Sequence, residues 1–201
     1  IALQRAKRKG RQQYEIFKRT MQKDARQRLQ MENALRRSLA NRDFILYYQP
    51  VINVETKEVA YFEALVRWNH PEKGILSPGV FLALAEETKL IVPLGWQMLH
   101  QACRQIAEWN ELGFPTKVSV NLSAEQFNAP ELLGQIHFCL EVSGVDPGSV
   151  LLEITETSLI ENQEHSAEML SQIRNMNMNV YLDDFGTGYS ALSYLKSYPF
   201  D

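Results

Sequence analysis

The chain is poor in the residues that build sulfur-based or zinc chemistry. It holds only two cysteines among 201 residues, Cys103 and Cys139, with no paired-ligand spacing. A disulfide scaffold is therefore excluded, and both read as reduced thiols on helical patterns. Its four histidines, His70, His100, His137 and His165, are scattered, with no HExxH pair to suggest zinc. No run approaches 18 consecutive apolar residues, so no transmembrane helix is expected. The basic start from Ile1 to Arg11 lacks an apolar core region and makes no signal peptide. Neither GxGxxG nor GxxxxGKS/T occurs, so the glycine-rich turn of a nucleotide-binding doubly wound fold is missing. No internal repeat or low-complexity segment is found.

What is present fits a globular α/β protein. The sequence is 45% hydrophobic and 22% charged, enough for a real core. A net charge of −3 hides a strong asymmetry. Residues 1–42 hold 13 Lys/Arg against 3 Asp/Glu, and residues 43–201 hold 8 against 21. Two kinds of segment are joined. The absence of a starting methionine and the stop at Pro199-Phe200-Asp201 read as a piece of a longer chain.

From Thr20 to Asn41 good helix formers dominate without Pro or Gly. Apolar residues fall in four-residue rows, Met21/Ala25/Leu29 and Met31/Leu35/Leu39, predicting an amphipathic linker helix. Its basic charge reads as a solvated surface rather than a nucleic-acid arm, since no base-stacking aromatics interleave it. After Asp43 strands and helices alternate. Strands are predicted at Phe44–Val51, Val59–Trp68, Lys117–Leu122, Val150–Thr155 and Asn179–Asp184. Helices are predicted around Pro78–Thr88, Leu94–Leu112, Ala124–Ser143 and Gln163–Met176. Pro78 suits a first helical turn and Gly113 a C-terminal stop. The short Asn53–Lys57 link makes the first two strands a hairpin. The strand–helix–strand rhythm that follows predicts a parallel sheet covered by helices.

A doubly wound sheet and a (β/α) barrel share that rhythm, and the polar residues decide between them. Barrel enzymes place their chemistry at the C-terminal ends of several strands around one mouth. Glu63, Asn121, Glu153 and Asp183 each fall toward the end of a separate strand, and the acids interrupt otherwise apolar runs. Burying uncompensated carboxylates is costly, so a hard cation such as Mg²⁺ or Mn²⁺ explains them economically. In the pair Asp183-Asp184, one carboxylate could bridge two ions; Asp184 could equally cap the next turn. The following Phe185-Gly186-Thr187-Gly188-Tyr189-Ser190 lacks a P-loop lysine. It reads as a mobile loop over the mouth or as an ordinary connection. Arg67 could grip a phosphate or pair with a neighbouring acid, and spacing does not choose. Trp68 and Trp109 read as packing.

The same residues carry a family resemblance. Glu63-Ala64-Leu65-Val66-Arg67-Trp68 resembles the signature of the EAL domain. The likeness continues through Tyr48-Gln49-Pro50, Leu84-Ala85-Glu86-Glu87-Thr88, Ser119-Val120-Asn121-Leu122-Ser123, Leu152-Glu153-Ile154-Thr155-Glu156 and 183–190. It covers essentially all of 43–201. The resemblance implies a TIM-type barrel cut after about five strands. It further implies hydrolysis of the bacterial second messenger cyclic di-GMP to linear pGpG by a metal-activated water. By similarity, Glu63, Asn121, Glu153, Asp183 and Asp184 hold two Mg²⁺ or Mn²⁺ ions, with Asp183 shared. Glu63, Asp183, Asp184 and Glu156 form the catalytic set, with Glu156 holding the glycine loop. Gln49 and Arg67 contact the dinucleotide.

Residues 1–19, from Ile1-Ala2-Leu3-Gln4 to Tyr14-Glu15-Ile16-Phe17, resemble the end of a GGDEF (diguanylate cyclase-type) domain. Residues 20–42 would then be the linker, and 43–201 the first part of the EAL domain. Upstream GGDEF or sensor domains are implied partners, a homodimer is compatible, and no DNA or RNA polymer is expected. The implied location is cytoplasmic, with room for a membrane anchor upstream. A lysine, a glutamate and a glutamine of the family's later strands lie beyond residue 201. A non-catalytic cyclic di-GMP receptor is the alternative, although intact metal ligands favour the enzyme.

A (β/α) barrel typically needs about 250 residues and all eight strands. Residues 1–201 purified alone are therefore expected to be inert toward cyclic di-GMP and prone to association through open sheet edges. A stable monomer with cooperative unfolding and measurable turnover, by light scattering and product assay, would contradict this.

Overall fold

A computed structural model of the chain describes residues 19–160 and 163–183. The first described element, helix α1, spans Arg19–Asn41. It ends where Arg42 turns left-handed (φ 60°) and Asp43 N–H donates to the Ser38 carbonyl at 2.9 Å, a capping turn that satisfies a free carbonyl. Only one of the two predicted apolar rows finds a core. Leu35 and Leu39 are buried, whereas Leu29 is 57% exposed. The second half of α1 packs in a cluster with Phe44, Trp68, Phe81, Leu94 and Met98. Gln97 Nε2 donates to the Leu39 carbonyl at 2.8 Å, fixing the helix end from outside. The first half projects past this cluster, held by an ion pair between Arg28 and Glu87.

Strands β1 (Phe44–Ile52) and β2 (Val59–His70) form the expected antiparallel hairpin. Its link is an Asx turn: the Asn53 side-chain oxygen accepts from the amides of Glu55 and Thr56 at 2.9 and 3.1 Å. A three-residue strand not predicted from sequence, β3 (Gly74–Leu76), folds back on the end of β2. Strands β4 (Val118–Leu122), β5 (Val150–Thr155) and β6 (Asn179–Asp183) then add in parallel, giving the order β1-β2-β4-β5-β6. Because side chains alternate, Ala64, Val118, Val120, Val150, Leu152, Ile154 and Val180 share one face and enter the main core. The other face carries Glu63, Asn121, Glu153 and Asp183.

The helices cover the apolar face. A 3₁₀ turn at Pro78–Val80 leads to α2 (Leu82–Glu87), so Pro78 does start a turn, but the predicted single helix is divided. Helix α3 (Ile91–Glu111) stops at Gly113, whose φ of +81° suits glycine and whose N–H donates to the Asn110 carbonyl at 3.0 Å. The stretch predicted as one helix over 124–143 is two, α4 (Ala124–Phe127) and α5 (Leu132–Ser143). Pro130 between them lacks an N–H and restricts the residue before it. A reciprocal capping box between Ser123 and Gln126 starts α4. Buried Gln126 lies against Gly95 of α3, where a Cβ would fall 1.9 Å from its Nε2. Helix α6 (Glu156–Ile160) follows β5 directly, and α7 (Gln163–Asn175) precedes β6.

Cys103 and Cys139 are buried in the core, unbridged, and burial pushes their thiols up to about 12 and about 11. Both are inert packing groups. Among the described residues no helix is long and apolar enough to cross a membrane. The winding is that expected of a (β/α) barrel, with α1 contributing to it.

Truncation of a buried leucine costs about 2–5 kcal/mol, and an exposed one costs within about 0.5 kcal/mol. Leu35→Ala is expected to destabilise the protein in urea by the former amount and Leu29→Ala by the latter. Equally small effects would remove the second half of α1 from the core.

Candidate active site

The polar face of the sheet is built by register. Glu63 pairs with Gln49 on β1 and with Ser119 on β4. Asn121, two residues beyond Ser119, pairs with Glu153 on β5. Glu153 pairs with Tyr181 on β6, and Thr155 with Asp183. Each step across the sheet therefore presents oxygen-bearing side chains on the same face, climbing toward the strand C-termini. Asn121 and Asp183 lie near the ends of their strands, as predicted. Glu63 does not, because β2 runs seven residues further to pair with β1 and β3. It lies instead where β2 meets β4.

Direct contacts knit part of this row together. Asn121 Nδ2 donates to Glu63 Oε1 at 3.0 Å. The rings of Tyr61 and Tyr181 touch at 5.9 Å between centroids, although β4 and β5 separate their strands. The sheet is thus curled enough for β2 and β6 to meet across its concave side, and the two tyrosines lie beside the acids. Burial raises the pKa of Tyr61, and Glu153, Tyr181, Glu63 and Asp183 add to it. Burial likewise raises the Glu153 carboxyl; the Ser119 hydroxyl opposes, and the charges of Glu63 and Asp183 reinforce. Among the described residues the concave face thus gathers carboxylates of like charge.

The remaining predicted residues sort differently. Gln49 is exposed, opposite Glu63. Arg67 makes no ion pair among the described residues. One of its nitrogens donates to the Val66 carbonyl at 2.9 Å, and its guanidinium carbon lies 5.3 Å from the Tyr47 ring centroid. Glu156 is buried at the start of α6. Asp184 and the loop 185–190 lie outside the described residues. Trp68 is fully buried, and Trp109 packs against Tyr48 and Phe62; neither faces the site. Ser119, Tyr61, Tyr181 and Tyr47 are site residues that sequence reading passed over. Their two-residue spacing from Glu63, Asn121 and Asp183, or from Gln49, is the signal that could have found them.

The donor set fits a divalent cation. Glu63, Asn121, Glu153 and Asp183 are all oxygen ligands, suited to Mg²⁺ or Mn²⁺ and not to zinc. Among the described residues no three His, Cys, Asp or Glu stand close enough to hold an ion by themselves. The Glu63–Asn121 hydrogen bond occupies part of that set; turning the amide about its last bond would present its oxygen instead. A cleft of about 730 Å³ lies elsewhere, between α1 and the β2–β3 turn, lined by Arg37, Asp43, His70 and Lys73. Size does not make it the site, because the converging acids are on the concave face.

Comparison with known proteins identifies the family. Residues 32–201 match the family described as EAL domain, beginning within the half of α1 that packs. The bifunctional diguanylate cyclase/cyclic di-GMP phosphodiesterase MucR of Pseudomonas aeruginosa is 39% identical over 199 residues, 98% of this chain and 29% of its own length. The cyclic di-GMP phosphodiesterase PdeR of Escherichia coli is 38% identical over 200 residues, the whole of this chain and 30% of its own. The chain thus spans less than a third of these relatives. The solved MucR phosphodiesterase in complex with c-di-GMP superposes with a TM-score of 0.81 at 39% identity, covering 86% of this chain and 70% of that one.

A carboxyl whose folded-state pKa is raised binds its proton more tightly folded than unfolded. Metal-free stability therefore falls as pH rises through the carboxylate range toward the folded pKa, and the penalty is absent below that range. Glu153→Gln removes the charge at nearly constant shape. In EDTA at neutral pH it is expected to raise the melting temperature, with the gain fading on acidification. No gain at neutral pH would show that the cluster carries no repulsion.

Proposed function

The chain belongs to the EAL domain family, and from that premise we propose that it is the first part of a metal-dependent phosphodiesterase that opens cyclic di-GMP to linear pGpG. The observation that carries this reading is the row of Glu63, Asn121, Glu153 and Asp183 on one concave face of adjacent strands. Four oxygen donors staggered along adjacent strands, with an acid whose carboxyl is raised first by burial and then by its like-charged neighbours, support a site whose chemistry calls for cations.

In this reading Glu63, Asn121, Glu153, Asp183 and Asp184 would hold divalent ions, Mg²⁺ or Mn²⁺. Such ions lower the pKa of water and neutralise phosphate charge. The chain's own residues do the rest. Arg67, with no acid competing for it among the described residues, takes a phosphate oxygen of the dinucleotide. Gln49, exposed beside Glu63, contributes a neutral amide to the same ligand. Glu156, buried at the start of α6, is the acid assigned to the glycine loop that follows Asp184. Water adds to phosphorus at one phosphodiester, the P–O bond to the sugar breaks, and the leaving oxygen takes up a proton.

The domain reading follows the same line. Residues 1–19 are the end of a GGDEF domain, and 20–42 join it to the EAL domain. The second half of that link is also part of the EAL core. Upstream GGDEF or sensor domains are then partners in one chain, working in the cytoplasm.

Hydrolysis of cyclic di-GMP by a protein carrying the complete EAL domain tests the assignment. Glu63→Ala is expected to abolish turnover with Mg²⁺ or Mn²⁺ while leaving the melting temperature nearly unchanged. Ca²⁺ as the sole divalent ion, larger and less exacting in geometry, is expected to occupy the site without turnover. Normal product formation by Glu63→Ala would overturn the reading. Binding of cyclic di-GMP by wild type without hydrolysis would favour a receptor instead.

A further inference from the structure

We propose that Tyr47 is a positioning residue that holds the Arg67 guanidinium over the site for a phosphate of the dinucleotide. This rests on the function proposed above and assigns a part to a residue outside the EAL signature. Tyr47 and Arg67 lie on the concave face, on neighbouring strands. In the hairpin register Gln49 faces Glu63, Tyr47 faces Leu65 and Ile45 faces Arg67. Arg67 therefore starts two rows beyond Glu63, at the outer rim of the face. Its guanidinium lies over the Tyr47 ring, 5.3 Å from the centroid, a diagonal contact with the residue that stands between Ile45 and Gln49 on this face.

Two contacts define this pose. One nitrogen donates to the Val66 carbonyl at 2.9 Å, and the aromatic face attracts the cation through its quadrupole. Neither consumes the remaining donors of the fork, and no carboxylate among the described residues takes them. An arginine so held has lost rotamer freedom before any ligand arrives, which reduces the ordering cost of binding. The ring itself is 48% exposed, so it is poorly explained as a packing group.

Steady-state hydrolysis of cyclic di-GMP, by a protein carrying the complete EAL domain, provides the test. The variants are Tyr47→Ala, Tyr47→Phe, Arg67→Ala and the Tyr47→Ala/Arg67→Ala double. Tyr47→Ala is expected to raise KM about two- to fivefold, the range of an exposed cation–π contact, with kcat within about twofold of wild type. Tyr47→Phe, which keeps the ring, is expected to restore the wild-type KM. In the Arg67→Ala background the Tyr47→Ala effect is expected to vanish, because the ring then has no cation to hold. An unchanged KM in Tyr47→Ala overturns the proposal. So does an equal rise with and without Arg67, which would mean that the ring meets the nucleotide itself. A wild-type protein that neither binds nor hydrolyses cyclic di-GMP would remove the functional reading, and this inference with it.

Discussion

Three residue pairs join β2 to β4: Phe62 with Val118, Glu63 with Ser119, and Ala64 with Val120. At this short junction the antiparallel hairpin becomes a parallel sheet, and both faces depend on it. A slip of one residue would turn Glu63 toward the helices and Ala64 toward the acids. The pairs resist that slip because Ala64, Val118 and Val120 are buried in the core under α3 and α5. Packing on one face thereby fixes the chemistry on the other. The hydrogen bond from Asn121 to Glu63 is a product of that register rather than its cause.

The concave face has a cost that the core must offset. Folding gathers Glu63, Glu153 and Asp183 within reach of one another's fields, and like charges in a partly desolvated place repel. Tyr61, in contact with Tyr181 beside them, is raised by burial and by the same charges. A face selected for stability alone would carry apolar or oppositely charged residues there. Like charges gathered on a packed scaffold are the physical ground for the cation site proposed above.

Much of this was legible in the sequence, for reasons that can be named. All five predicted strands agree with the structure to within a residue or two at either end, since each is a largely apolar run bounded by turn residues. The hairpin was clear from Asn53 and the shortness of its link. Less visible was the break at Pro130, where helix-forming composition on both sides outweighed one restricted residue. The three-residue strand Gly74–Leu76 is too short to show a period. Glu63 was expected toward a strand end although the predicted strand already ran five residues past it; its place is set by where β2 meets β4, which strand pairing decides and no local pattern shows. The contact of Arg67 with Tyr47, like the meeting of Tyr61 and Tyr181 across two intervening strands, arises from strand pairing and sheet curl. Neither is written in any local pattern.

Helix α1 is gripped by the core at its C-terminal end, and its first half is tied more loosely, through contacts such as the Arg28–Glu87 pair. Leu35, Leu39 and the Gln97 hydrogen bond clamp its last turns, while about 24 Å of helix extends from Leu35 back to Arg19 at 1.5 Å per residue. Mechanically this is a cantilever. A sideways load on its far end reaches the clamp as a bending moment, opposed first by the Arg28–Glu87 pair. The clamp shares its cluster with Trp68, which stands on β2 beside Arg67 and points the opposite way. Displacement of the lever is thus delivered to the back of the strand whose front carries Glu63 and Arg67.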